Sequence, residues 1–271
     1  MEKFDLAVRH ELDGSKFNHS IRLGVRNEFA NAAFRLHSMI PSKIGSLGLR
    51  FKNTYQNPEL IINGHLEKMM QGACKVPSEK YDHYYVTDAT DYLAKYPGKL
   101  FGTDLGSIDI QRGRDHGLAP YIAMVKFCSE GRINILTFDD LAPSLMPKKR
   151  AEILKKNYEA VEDIDLWVGM QMEHIFPGSE VGPTAVCIIA KQFYSAKFGD
   201  RFYFEHKDEA PSFTIAQRNS LKQCSLSRLL CDNSNITHVQ KNVMLLPSFT
   251  NPEVLCEDIP QIDFTYWTQA P

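Results

Sequence analysis

The chain has 271 residues, of which 43% are hydrophobic and 24% are charged, as in an ordinary globular protein. Its formal net charge of -2 gives no reason to expect nucleic acid or an anionic membrane as a partner. No stretch approaches the roughly 18 uninterrupted apolar residues that a membrane span requires, and the polar start, MEKFDLAVRHELDG, lacks the apolar core of a signal peptide.

Helical periodicity dominates the chain and predicts a mainly α fold. Residues 21–40, IRLGVRNEFANAAFRLHSMI, place Phe29, Ala33 and Ile40 on one face of a first helix, which Pro41 would end. The same kind of pattern predicts further helices over residues 63–74, 86–96, 119–128, 147–158, 163–173, 183–198 and 214–230.

Segments that alternate like strands are few, and LGLRF (47–51) is the best of them. Long loops are predicted near residues 41–60 and 232–271. The last of these is rich in Pro, Asn and Asp, and we expect it to wrap the surface rather than to form a domain of its own.

The cysteines and glycosylation sequons bear on the cellular compartment. None of the six cysteines lies in a C-x-x-C pattern, so a zinc-thiolate site is disfavoured, while both disulfides and reduced core cysteines stay open. Sequons occur at Asn18-His19-Ser20 and Asn235-Ile236-Thr237. Together these features favour a secreted, extracellular glycoprotein whose signal peptide lies outside this chain.

Polar side chains are concentrated in DIQRGRDHG (109–117), between two apolar-leaning runs. In one interpretation Asp109 and Arg112 are i,i+3 neighbours, Asp115 pairs with either arginine of the stretch, and Gly117 caps the helix end. In the other, the charges are buried around an anionic ligand, because buried charge is costly unless it is paired.

His37 also has two interpretations. It lies on the predicted apolar face of the first helix, where a hydrogen-bonded core histidine is the simpler reading. A ligand to a buried metal is the alternative, and such an imidazole needs an acceptor for its second nitrogen. Nothing in the neighbouring sequence distinguishes haem from zinc.

Several strings, in order along nearly the whole chain, resemble the animal haem peroxidases, the family of myeloperoxidase, thyroid peroxidase, peroxidasin and peroxinectin. LGSIDIQRGRDHGLAPY resembles the long signature of that family, and NEFANAAFRLHSMI resembles the segment that carries the haem-binding histidine. DIDLWVGMQMEH, VGPTAVCIIAKQFYSAKFGDRFYFE and SLSRLLCDNSNI resemble segments further downstream. The resemblance implies the C-terminal portion of the helical peroxidase fold, with few short strands and long surface loops.

The resemblance implies a role for four residues near haem. His37 would be the proximal ligand of the haem iron, and so the metal ligand of the chain. Asp109 stands where the family usually has an Asn that accepts the proximal imidazole N–H. Arg35 and Arg112 would hydrogen-bond near the haem and its propionates, since a guanidinium fork suits carboxylates.

The other polar residues of the signature, Arg114, Asp115 and His116, are expected to be structural supports. Matching family positions implies the disulfides Cys128–Cys187 and Cys231–Cys256. It leaves Cys74 and Cys224 without an assigned partner.

The resemblance also implies what this chain lacks. The family's distal residues, which handle peroxide, and its calcium loop have no matching motif here, so no catalytic residue is predicted in this chain. Residues 1–271 are therefore expected to be a partial haem peroxidase domain that supplies the proximal side and is inactive without a distal, N-terminal half.

The function implied by the family is that of an oxidoreductase acting on hydrogen peroxide, with a halide or a small organic donor as the second substrate, as in oxidative stress responses. Two alternatives stay open. The first is a non-catalytic extracellular adhesion or binding module on the same fold. The second is a metal hydrolase that uses His37 with scattered histidines, although no ligand spacing supports it.

Overall fold

The computed structural model describes residues 14–268 and is mainly helical, as predicted. The polar N-terminal stretch 1–13 lies outside the described residues. The α-helices are α1 (Glu59–Ile62), α2 (Leu66–Ala73), α3 (Thr87–Thr90), α4 (Leu105–Asp115), α5 (Tyr121–Cys128), α6 (Lys148–Asn157), α7 (Leu166–Met172), α8 (Pro183–Phe198), α9 (Ile215–Leu221) and α10 (Leu226–Asp232). Within residues 14–268, none of the helices is both long and apolar enough to cross a membrane.

The first predicted helix is wrong over much of its length. Residues 21–26 are not helical, and a wide π-helical turn covers Phe29–Ala33. The chain then leaves the helix, and a separate 3-10 turn forms at His37–Met39. Side chains that are distant in sequence bind the backbone on both sides of this turn. The Gln192 amide accepts from the backbone N–H of Arg26 at 2.7 Å and donates to the carbonyl of Gly24 at 3.0 Å. The indole N–H of Trp167 donates to the backbone carbonyl of Arg35 at 3.1 Å. That carbonyl would otherwise accept an intrahelical hydrogen bond.

Two other predicted helices are shorter or divided. The helix predicted over 214–230 is broken between α9 and α10, because Ser225 caps a new helix by accepting from the backbone N–H of Arg228. The helix predicted over 86–96 is only α3, because the chain turns so that Leu93 pairs with Thr103. In contrast, α8 has the bounds that the sequence predicts.

The main core forms around α5, which packs against both α7 and α8. Tyr121, Met170, Ala185 and Ile188 are all buried there, and α4 packs against α7 and against the π-helical turn. The disulfide Cys128–Cys187 joins α5 to α8, which confirms the predicted pair.

The strands are short antiparallel pairs outside this core. Strand β1 (Lys43–Ile44) pairs with β2 (Leu49–Arg50), which is the middle of the predicted LGLRF strand. In the C-terminal region β3 (His238–Gln240) pairs with β4 (Glu253–Leu255), where only a loop was expected.

The C-terminal region packs against the helical body. Ile236, Val239 and Ile259 form a small apolar cluster with Met70 of α2, in agreement with a tail that wraps the surface. The predicted disulfide Cys231–Cys256 is confirmed. Cys74 and Cys224 are free.

Candidate functional site

The central feature of the site is a short hydrogen bond between two residues that are 72 positions apart. The Nδ1 atom of His37 lies 2.6 Å from Oδ2 of Asp109. Helix α4 carries the aspartate, and Asp104 caps its start, because the Asp104 carboxylate accepts from the backbone N–H of Gly106 at 2.8 Å. Gly117 follows the end of the helix, and its positive φ of 60° provides the predicted cap.

The chemistry of the two groups gives the direction of this hydrogen bond. The Asp109 side chain is fully buried, whereas 25% of the His37 side chain is exposed. A carboxylate can only accept, so Nδ1 carries the proton and donates. Among the described residues, Nε2 of His37 has no hydrogen-bond partner. The imidazole is therefore held in one tautomer with a free nitrogen directed away from Asp109, which is the arrangement that a metal-binding histidine needs.

Two arginines lie beside this pair with unsatisfied nitrogen atoms. Nη1 of Arg112 is 3.5 Å from Oδ1 of Asp109, and both atoms are buried without a hydrogen bond. Nε of Arg35 is also buried without a hydrogen-bond partner. Burial lowers the pKa of Arg35 and the neighbouring Arg112 lowers it further, while Asp109 acts in the opposite direction. The two guanidinium groups thus carry more positive charge than the single carboxylate between them can balance.

The interpretation in which Asp109 and Arg112 are i,i+3 neighbours describes only part of the contacts, since the aspartate also contacts His37 and lies closer to it. His37 is also not part of a continuous first helix, because it begins the 3-10 turn His37–Met39. The four predicted site residues His37, Asp109, Arg35 and Arg112 nevertheless come together in space.

Residues of α7 hold the segment around His37, and sequence reasoning missed them. The Trp167 indole donates to the Arg35 carbonyl at 3.1 Å, and the Ser38 hydroxyl donates to Oε1 of Gln171 at 3.1 Å. Both helix residues are buried. Their only signal in the sequence was the WVGMQM string itself, which gives no indication of what the side chains contact.

The remaining polar residues of the signature turn outward. Arg114 forms a fork on Asp165, with Nε at 3.0 Å and Nη2 at 2.8 Å from the two carboxylate oxygens. Asp115 accepts from Gln111 rather than from an arginine. His116 is exposed, and its backbone carbonyl accepts from the side chain of Asn27. These contacts fit the expected supporting roles.

The residues present fit a haem group. An imidazole with one nitrogen fixed and the other free suits the iron. Buried guanidinium nitrogens without partners suit the two acidic side chains that haem carries. Among residues 14–268, no group of three or more His, Cys, Asp or Glu side chains is placed to hold a metal ion.

Comparison with known proteins shows the family of the chain. The model of the animal haem peroxidase family matches residues 1–244. The chain belongs to the animal haem peroxidase family. Within that family, a peroxidase from Drosophila melanogaster is 36% identical over 264 residues, which cover 93% of this chain and 37% of that protein. A peroxidasin homolog from Mus musculus is 33% identical over 270 residues, covering 93% of this chain and 18% of that protein.

A solved peroxidase structure shares the fold. Peroxidase A from Dictyostelium discoideum superposes with a TM-score of 0.68 at 30% identity, over 84% of this chain and 44% of that chain. The chain thus spans less than half the length of each of these three relatives.

Proposed function

We propose that this chain supplies the proximal haem side of a peroxidase that reduces hydrogen peroxide and oxidises a halide or a small organic donor. The observation that carries the proposal is the 2.6 Å hydrogen bond from Nδ1 of His37 to the buried carboxylate of Asp109. Residues 1–271 would then be one part of a larger haem peroxidase domain.

Each residue of the site has a role in holding the group. Nε2 of His37 would bind the haem iron, and Arg35 and Arg112 would hold its acidic side chains. When bound, haem supplies a redox-active iron at which peroxide can be reduced. The hydrogen bonds of Trp167 and Gln171 hold the segment around His37, so the imidazole would stay in position to bind the iron.

Asp109 gives the proximal histidine a stronger acceptor than an amide would. A hydrogen bond to a charged acceptor is about twice as strong as one between neutral groups. The His37 ring therefore gains imidazolate character and donates more electron density at Nε2, which favours ferric over ferrous iron. Arg112 opposes this effect, but it lies 3.5 Å from the other carboxylate oxygen, Oδ1, and forms no hydrogen bond there.

The location that we propose is extracellular. Asn18 and Asn235 of the two sequons are exposed, as glycosylation requires. The two disulfides suit an oxidising compartment. The donor would reach the haem from the side that this chain does not line, so the chain by itself should bind haem weakly and turn over little peroxide.

Titration with hemin tests the proximal role. The His37→Ala variant should lose the absorption of imidazole-ligated haem. The His116→Ala variant, which replaces an exposed histidine of the DIQRGRDHG stretch, should match the unaltered chain. An unchanged spectrum in His37→Ala would contradict the ligand assignment. Efficient peroxide-dependent oxidation by the purified chain would contradict the requirement for a second, facing half of the domain. If haem binds but no turnover appears even after a facing half is added, the result would favour the adhesion-module alternative.

A further inference from the structure

A cavity lies where residues 83–85 meet α4 and α7. Its volume is about 430 Å³, and it is lined by residues of the 83–85 segment, the first turn of α4 and α7. Those that matter here are His83, Tyr84, Tyr85, Ser107, Trp167 and Gln171. None of the four residues that we assign to haem binding lines it.

The floor of this cavity contains a polar group that the protein leaves unsatisfied. Gln171 is 98% buried, since only 2% of it is exposed. Its Oε1 accepts from the Ser38 hydroxyl at 3.1 Å, which fixes the orientation of the amide. Its Nε2 is buried and has no hydrogen-bond partner among the described residues. A buried donor without an acceptor destabilises the protein, so a group that accepts from Nε2 removes that cost.

Two further polar atoms of the cavity lining are buried without a full hydrogen bond. Nδ1 of His83 is buried without a hydrogen bond. The Tyr85 hydroxyl is buried and forms no full hydrogen bond, although the Ser38 backbone amide lies near it. Burial raises the pKa of Tyr85, and the negative charge of Asp109 raises it further, so the hydroxyl keeps its proton and is a donor. Burial also lowers the pKa of His83, with Arg150 adding to the effect, so that its ring stays neutral.

The walls of the cavity are aromatic. The Tyr85 and Trp167 rings meet edge to face with centroids 5.9 Å apart, and the His83 and Tyr84 rings lie 4.1 Å apart. Tyr84 is 70% exposed at the mouth. The carboxylate of Asp104 is already occupied with capping Gly106 and Ser107. A cavity that has aromatic walls, hydrogen-bond donors and no unpaired charge favours an uncharged, planar ligand.

We propose that this cavity is a binding site for a small uncharged aromatic compound that carries a carbonyl group. The carbonyl oxygen accepts from Nε2 of Gln171 and from the Tyr85 hydroxyl, and the ring lies among Tyr84, Tyr85 and Trp167. The site is separate from the haem-binding residues, and the proposal does not depend on haem binding.

The test uses the 271-residue chain without haem and follows fluorine NMR signals of two probes, 4-fluorobenzamide and 4-fluorotoluene. The second probe keeps the ring and lacks the carbonyl. Two variants of α4 residues form a matched pair: Ser107→Trp fills the mouth of the cavity, and Gln111→Trp places the same side chain on an exposed position outside it. Each variant also loses one side-chain hydrogen bond to an aspartate. Gln171→Leu removes the donor at the floor, and thermal unfolding confirms that each variant is folded.

We expect saturable binding of 4-fluorobenzamide by the unaltered chain and by Gln111→Trp. Ser107→Trp and Gln171→Leu should each weaken it by about tenfold or more, since about 1.4 kcal/mol corresponds to a factor of ten. 4-Fluorotoluene should bind at least several-fold more weakly. The proposal is overturned if the unaltered chain shows no saturable binding, if neither substitution weakens binding, or if 4-fluorotoluene binds equally well.

Discussion

Gly169 of α7 lies directly against the ring of Tyr121 of α5, so closely that any Cβ at position 169 would overlap the ring atoms. The tyrosine is fully buried and cannot move aside without disturbing the contact between α5 and α7. The glycine is therefore required for close packing of the two helices rather than for backbone freedom.

Adding a Cβ at position 169 should destabilise the fold. Gly169→Ala is expected to lower the free energy of unfolding by at least about 2 kcal/mol, because overpacking a rigid core strains its neighbours. Gly113→Ala in α4 is the control, since its Cβ would meet Leu118 at an ordinary 3.7 Å. That variant should be neutral or stabilised by about 0.5–1 kcal/mol. Chemical denaturation measures both, and equal effects would contradict the packing argument.

The buried carboxyl of Glu173 should make stability depend on pH. Burial raises its pKa from 4.5 to about 7, against the opposing hydrogen bonds from Thr184 and Tyr121. Between pH 4.5 and about 7, Glu173 is therefore protonated in the folded chain and ionised in the unfolded chain. The stabilisation that comes from this difference is fully present below pH 4.5 and is lost as the pH rises to about 7. Its size is on the order of 3 kcal/mol.

Denaturant titrations at pH 5 and pH 7.5 check this expectation. The decline in unfolding free energy between the two should be smaller in Glu173→Gln than in the unaltered chain. Glu162→Gln, at an exposed position, should leave the decline unchanged. A decline of the same size in all three proteins would show that Glu173 is not the titrating group.

The disulfide between α5 and α8 should contribute strongly to stability. Cys128 and Cys187 close a loop of 59 residues, for which the chain-entropy model gives about 4 kcal/mol. The double variant Cys128→Ser/Cys187→Ser should lose stability of that order. Peptide mapping without reduction should recover this pair and Cys231–Cys256. Either pair found with another partner would contradict the assignment.

The sequence predicted some elements well because their determinants are local. Helix α8 has an apolar pattern of sixteen residues that begins with Pro183 and ends before Gly199, and both signals lie inside the segment. The prediction of the first helix was wrong, and distant side chains bind the backbone of that segment: Gln192 contacts Gly24 and Arg26, and the Trp167 indole donates to the carbonyl of Arg35. No pattern within residues 21–40 contains that information.

The candidate site shows the same limit. From the residues alone, Asp109 could have belonged to a salt-bridge cluster, and the pairing with His37 came only from the family resemblance. The WVGMQM string did not reveal the roles of Gln171 and Trp167, because each role depends on which group of another segment the side chain meets in three dimensions.

The iron reduction potential of Asp109→Asn tests the central claim most directly. The measurement compares the hemin-loaded protein, completed with a facing half of the domain, with and without the substitution. If Asp109 is the hydrogen-bond acceptor of the iron-bound His37, the neutral amide weakens electron donation, ferrous iron becomes less disfavoured, and the potential rises. A potential that stays the same or falls would contradict the account, because it would mean that the charge of Asp109 does not reach the iron through His37.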